Sequence, residues 1–531
     1  MSTNLPGSAG EPEYLSFADS DRPARRGGRR AALIAGGVLA AGGIAAGGWA
    51  VAALMSGGEA AADAVPASAV GFVSVDLDPS AGQKIEAIRI LNKFPAVKDE
   101  LGLASRDDLR RWMFDQLRDD GCAELDYVED VEPWIGDRLA LAAVPDRQKG
   151  ALPMVALQVS DEGAAAAAMT KLSACVDDVD KARTERTGVA FVGDYMVLAE
   201  TQGQADRFAA AAEEDALADD AEFQKWTEAV GDPGIVTMYL SADAPKALGE
   251  LERGWAGYGA DAAPPAASRL DGLGEGFRGM AGVLRFRDGG VEAELVGQGL
   301  PGSLDGFADV GPGPVAELPD STAVALSVGL PDGWLQRYLD TMNDAAGQDA
   351  VDQLLAEAEA ATGLDLPQDA ETLLGDGLAL TVDSSLDAGA MADPTSLPVG
   401  LRIEGDPQQI MPVLDTLRAS LGPAGDMLRV EQADGAVALG LDPAYLQRLL
   451  EGGDLGASDA FTRAVSQADR ASGVVFVDFD AGDGWAQRLV DALSGGDPEA
   501  RANVAPLDAL GISGWVDDGD VAHGLFRLTT D

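Results

Sequence analysis

Histidine and cysteine are nearly missing from this chain of 531 residues: there is one histidine, His523, and there are two cysteines, Cys122 and Cys175. A Ser-His-Asp or Cys-His nucleophile system needs a histidine as its base, and His523 falls in what reads as the last strand. A zinc site normally takes three or four Cys or His ligands, and these three residues are scattered. Basic residues are scarce too, 38 Lys and Arg against 89 Asp and Glu, for a net charge of −51. That balance removes the basic footprint a nucleic-acid partner requires. It also repels anionic lipid headgroups and favours basic partners or divalent cations. No glycine-rich loop has phosphate-binding spacing, neither GxGxxG after a strand nor GxxxxGK[ST].

What is present is apolar enough to fold, with 46% hydrophobic residues. The length suggests two to four domains. Residues 1–30 read as a disordered cytoplasmic tail that ends in Arg22, Arg25, Arg26, Arg29 and Arg30. Ala31–Met55 follows without a charge. As a helix those residues span about 37 Å, against a hydrocarbon core of roughly 30 Å. The arginines hold the N-terminus in the cytoplasm, so the expectation is a single-pass transmembrane helix in the cell membrane, with the C-terminal bulk extracellular in the cell envelope. A cleaved signal peptide is the rival reading, with a shorter apolar stretch than is found here. Gly43 and Gly47 form a GxxxG pair suited to a dimer of the span. Residues 59–531, 473 in all, carry 33 basic and 85 acidic groups, so the acidity belongs to the exported side. There, Cys122 and Cys175 form a candidate disulfide closing a loop of roughly 54 residues, worth at most about 4 kcal/mol on a chain-entropy argument. Two buried free thiols are the alternative.

The exported region reads twice. Val70–Leu77 corresponds to Ala323–Leu330, Trp134–Leu141 to Leu373–Leu380, and Leu152–Val159 to Leu397–Ile403. Amphipathic helices at about 161–175 and 406–421 come next, then hairpins turning at Gly193-Asp194 and Asp434-Gly435. Phe223 and Phe461 occupy matching helices, and both halves close on Asp-Gly turns, Asp288-Gly289 and Asp518-Gly519. Asp-Gly suits a two-residue type I′ connection. The organisation expected is therefore a repeat half at 65–298, a Gly/Pro-rich linker at 299–317 and a second half at 318–531. Short hairpin-linked strands interleaved with helices predict an α+β fold of two tandem related halves, each of short antiparallel or mixed sheets covered by helices.

Carboxylates are the abundant reactive groups. Asp76 and Asp78 end the first strand, and paired carboxylates can serve glycoside hydrolysis. Asp478, Asp480 and Asp483 resemble a calcium loop whose third aspartate comes one residue late and whose twelfth position is Leu489 instead of Glu. Asp517, Asp518 and Asp520 flank a tight turn. These six are the candidate metal ligands, for calcium or another divalent cation, with solvated turn carboxylates as the plainer reading. No catalytic residue, cofactor site or nucleic-acid partner is expected. Asp332-Gly-Trp334 and Asp483-Gly-Trp485 each open a helix, as exposed binding tryptophans or as capped, packed helix starts.

The arginine-rich tail with its single span, the stretch Val65–Pro95 and the motif Pro133-Trp-Ile-Gly-Asp-Arg-Leu139 resemble an actinobacterial family of membrane-anchored proteins catalogued as domain of unknown function 3352. The resemblance implies envelope location and an exported repeat, and carries no site residues. The reading is a non-enzymatic envelope protein whose duplicated acidic ectodomain binds or scaffolds an envelope protein, a cation or an apolar ligand. The alternatives are a carboxylate-dependent envelope hydrolase and a two-lobed lipid or small-molecule carrier.

Overall fold

Runs of valine, leucine and alanine bounded by glycine and aspartate fold into strands, and the computed structural model describes residues 59–76, 80–94, 111, 126–175, 187–247, 276–300, 306–517 and 519–531. The expected tail and span, Gly43, Gly47, Asp78, Cys122 and Asp518 lie outside these residues. Among the described residues no helix is long and apolar enough to cross a membrane. Contacts divide the chain into Met1–Gly43 and Ile44–Asp531, and the structure described belongs to the second unit.

The first eight strands are β1 (Gly71–Asp76), β2 (Ile135–Asp146), β3 (Gly150–Val159), β4 (Gly188–Val192), β5 (Tyr195–Ala199), β6 (Val236–Ser241), β7 (Gly279–Arg287) and β8 (Gly290–Gln298). The next eight are β9 (Thr322–Gly329), β10 (Gly377–Asp383), β11 (Val399–Glu404), β12 (Arg429–Ala433), β13 (Ala436–Gly440), β14 (Gly473–Asp478), β15 (Leu507–Asp517) and β16 (Val521–Thr530). All sixteen lie in one sheet, ordered β12-β13-β11-β10-β9-β14-β15-β16-β8-β7-β6-β1-β2-β3-β5-β4. Every neighbouring pair of these strands is antiparallel. The α+β class is as expected. The separate short sheets, some of them mixed, are corrected to a single antiparallel one. The reason lies at its middle, where β8 and β16 would each have been an open edge. They pair instead from Val521↔Gln298 to Thr529↔Gly290, satisfying both rows of backbone groups. Counted outward from this seam, the strands on the two sides follow the same pattern of connections, β8-β7-β6-β1-β2-β3-β5-β4 and β16-β15-β14-β9-β10-β11-β13-β12.

Turns set the register. Asp288 and Gly289 both take positive φ (49° and 76°) in a two-residue loop joining Arg287 to Gly290, as an Asp-Gly type I′ turn requires. The other Asp-Gly site differs. Asp517 pairs with Val521, leaving a three-residue loop with Gly519 and Asp520 at positive φ, so the expected two-residue turn is corrected there. In the segment expected to link the halves, Gly313–Glu317 is a 3-10 turn whose Val315 is fully buried.

Helices cover both faces. On the first face, α3 (Gln202–Glu214) and α4 (Ala221–Ala229) lie over the strands of the β1–β8 side. Phe223 of α4 meets Phe72 and Tyr239 edge-on at 5.5 and 5.3 Å, inside a core that includes Trp226 and Met154. On the same face of the other side, α8 (Pro443–Glu451) and α9 (Asp459–Ala464) bury Tyr445, Leu446, Leu449 and Phe461, the last against Phe476 at 5.1 Å. On the second face, α2 (Glu162–Cys175) packs on Trp134, Val159 and Met196. There α7 (Pro407–Ser420) packs on Ile403 and Val437, and α10 (Ala481–Ser494) sets Trp485 against Ala323. Further helices include α1 (Ala81–Leu91), α5 (Trp334–Ala346), α6 (Gln348–Thr362) and α11 (Pro498–Val504). Helices α2 and α7 match the expected 161–175 and 406–421 to within a residue or so.

Candidate functional site

Antiparallel pairing puts directly opposed residues on the same face, so the ladder registers can be read across the sheet. On the second face one row runs Leu139, Val75, Val236, Leu284, Ala293, Phe526, Ile512, Val475, Leu326, Leu380 across ten strands. The row beside it is Leu141, Val73, Met238, Gly282, Leu295, Gly524, Gly514, Gly473, Val328, Leu378. Neither row holds a charged or hydroxylated side chain, in a chain of which 24% is charged. A solvated face of an antiparallel sheet normally alternates to polar residues, so these rows suit apolar contact, part of which the chain supplies itself: Leu378 packs with Ile410 and Leu414 of α7, and Val75 and Val236 are buried. Leu326 and Leu380 stand opposite one another and remain 51% and 46% exposed.

The first face carries the charges instead. At the seam Arg285, Glu292 and Arg527 are buried. Arg285 donates from Nε to Glu292 (2.6 Å), from Nη1 to the carbonyls of Val230 (3.0 Å) and Asp232 (2.9 Å), and from Nη2 to Glu294. Arg527 approaches the second oxygen of Glu292 at 3.5 Å. Burial pushes the Glu294 carboxyl up, and Arg285 pulls it back. The network holds β7, β8 and β16 together and leaves its charges compensated, as buried ions require.

A second polar cluster gathers at the ends of β14, β15 and β16. One carboxylate oxygen each from Asp480, Asp508 and Asp531 lie within 4.8 Å of one another. Asp508 is held by Arg463 (3.0 and 2.7 Å) and by the Thr529 hydroxyl (2.7 Å). Burial, then the neighbouring Asp531, pushes the Asp480 carboxyl up to about 6, and Asp478 is raised by its own burial. Hard oxygen donors of this kind can take a proton or a divalent cation, with water completing the shell.

Of the sequence candidates, Asp480 joins this cluster, and Asp478 stands beside it, its carboxylate accepting from the Asp480 amide (3.0 Å). Asp483 does not: its carbonyl accepts from Arg488 (2.7 Å) at the kinked start of α10. Asp517 is engaged by Arg470 and by His523 Nε2 (3.2 Å), and Asp520 is an exposed turn residue. Asp508 and Asp531 carried no sequence signal. Only β14–β15 and β15–β16 pairing brings them to Asp480. Cys175 closes α2, while its candidate partner Cys122 lies outside the described residues.

Asp76 is 8% exposed and paired with Arg138 at 3.3 Å, beside a cleft of about 500 Å³ bordered by Ser80, Gln83, Arg285 and Arg287. His523 stacks on Trp515 (4.8 Å, 10°) beneath Arg470, and burial lowers its pKa, favouring the neutral ring. Neither helix-opening tryptophan is capped by its aspartate. Trp485 is buried and donates to the Asp478 carbonyl (2.6 Å), whereas Trp334 stacks on half-exposed Tyr338 (5.4 Å).

Fold and site together define an α+β protein built on one continuous antiparallel sheet with helices on both faces and the buried strand charges on the first. The chain belongs to the family described as Protein of unknown function (DUF3352), whose model matches residues 32–392, more than half its length. No curated protein and no solved structure matches it.

Proposed function

We propose that this is a non-catalytic, single-pass protein of the cell envelope, anchored by Ala31–Met55, whose acidic exported region arose by duplication and binds an apolar partner on the second face of its sheet. The observation that carries the reading is the pair of uncharged rows crossing ten strands, with Leu326 and Leu380 half exposed among them. The mirrored strand order about the seam supports the duplication. The scarcity of histidine and cysteine supports a role without nucleophilic or zinc chemistry.

Two experiments test it. Protease added to intact cells removes a C-terminal epitope if the region is exported; a protected epitope rejects the envelope location. A benzophenone amino acid at position 380 of the full chain, irradiated in cells, forms an adduct with another molecule. Reaction confined to the chain itself, or none, rejects the binding face. The carboxylate cluster favours a second, subsidiary reading, a divalent cation held by Asp480, Asp508 and Asp531.

A further inference from the structure

We infer that His523 is an acid-operated latch at one end of the seam, whose protonation releases the tip of the β15–β16 hairpin from β8. The latch is independent of the binding role proposed above. The seam ladder runs from Val521↔Gln298 to Thr529↔Gly290, so His523, opposite Val296, lies near the end at which the hairpin turns. Among the described residues, the tip beyond it is tied to β8 by the pairs Ala522↔Gly297 and Val521↔Gln298. A bond from Gln298 Nε2 to the Gly519 carbonyl (2.6 Å) adds to them.

The surroundings hold this histidine neutral. Its side chain is 10% exposed, Nε2 faces the Asp517 carboxylate at 3.2 Å, and Nδ1 has no hydrogen-bond partner among the described residues. A carboxylate accepts, so Nε2 carries the proton and Nδ1 is a bare acceptor. It stands among apolar groups, with buried Trp515 stacked on the ring and buried Val296 opposite on β8. A second proton makes Nδ1 a buried donor with nothing to bond, a cost that vanishes once the tip opens to water. Asp517 does not offset the new charge, because Arg470, on the turn before β14, already engages it and lies over Trp515 at 5.3 Å. Burial lowers the His523 pKa; Asp517 opposes that effect and Arg470 adds to it. A folded-state pKa below the unfolded one contributes stability that is complete above about 6.5 and is lost as pH falls through the folded value. Acid therefore frays the seam from this end.

The single histidine makes the test direct. In the full chain in detergent, labelled with ¹³C-histidine, one imidazole resonance reports protonation. Hydrogen exchange of residues 515–525, corrected for the intrinsic effect of pH on exchange, reports opening. From pH 7.5 to 5.5 protection in this stretch is expected to fall about five- to ten-fold, as uptake of one proton on opening allows. His523→Gln stays neutral and is expected to keep its protection over the same range. Arg470→Gln, a change at a half-exposed side chain, leaves Asp517 to His523 alone, so the resonance midpoint rises and the loss of protection shrinks. It carries the test if His523→Gln does not accumulate. An equal loss in His523→Gln overturns the latch. So does a resonance midpoint at or above 6.5 in the parent chain, an unmoved midpoint in Arg470→Gln, or protection that holds while the resonance titrates.

Discussion

Asp480 shows how a single side chain can report on its cluster. Its carboxyl is raised to about 6 by burial and by Asp531, above the ordinary aspartate value of 3.8. A folded-state pKa above the unfolded one contributes stability that is complete below about pH 4 and is lost as pH rises through about 6. Asp480→Asn removes the repulsion, so it is expected to raise the melting temperature at pH 7.5 and to lose that advantage towards pH 4. The side chain is largely exposed, and after discounting for solvent screening the gain is about 1 kcal/mol. Millimolar calcium should raise the melting temperature of the parent chain and not of the variant; equal shifts would show that no cation is held there. Arg285 is the opposite case, a buried cation with two carboxylate partners. Arg285→Met leaves the half-buried Glu294 without its partner and Glu292 with only the longer contacts to Arg527 and Arg287, and is expected to cost about 3–5 kcal/mol, read from chemical denaturation. A loss below about 1 kcal/mol would mean the seam network is not held as described.

Among the elements, the two edge strands are guarded differently. In β12 the sequence itself does it, with Arg429 and Glu431 on the open edge strand. β4 is Gly-Val-Ala-Phe-Val, without a charge, and would invite pairing with another chain. Its guard comes from α3: the Gln202 side chain donates to the Val189 carbonyl (2.8 Å) and accepts from the Val189 amide (3.1 Å), imitating a neighbouring strand. Gln202→Leu frees both groups. The expected outcome is a stability loss of about 1 kcal/mol and concentration-dependent association in analytical ultracentrifugation. A variant that stays as monodisperse as the parent would show the edge is protected by something else.

At the scale of the whole molecule the β8–β16 ladder decides cooperativity. Nine register pairs cross the seam, and Arg527 links to Glu292 through it. The two groups of eight strands should therefore unfold together. Urea transitions followed at Trp226 on one side and at Trp485 on the other, each kept as a reporter in turn, are expected to coincide. Two separated midpoints would mean that the seam is weaker than either flanking core. Much of this architecture was legible in the chain. The helices α2 and α7, the hairpin at Asp288-Gly289 and the burial of Phe223 and Phe461 follow from 3.6-residue periodicity, turn chemistry and apolar spacing. The union of all strands in one sheet was not, because nothing in β8 or β16 alone says which edge it will meet.

By itself, then, the sequence determined the local elements, the acidic balance, the family and the poverty of His and Cys that argues against common catalytic machinery. These depend on near neighbours along the chain or on composition. Only the tertiary structure decided that Asp508 and Asp531 join Asp480, and that Gly473, Gly514 and Gly524 fall side by side on three adjacent strands. It alone gave the strands their second apolar face and placed their charges on the first. Each strand alternates by two residues, but which alternate set meets which is fixed by pairing register between segments up to hundreds of residues apart, and register is a property of the folded sheet.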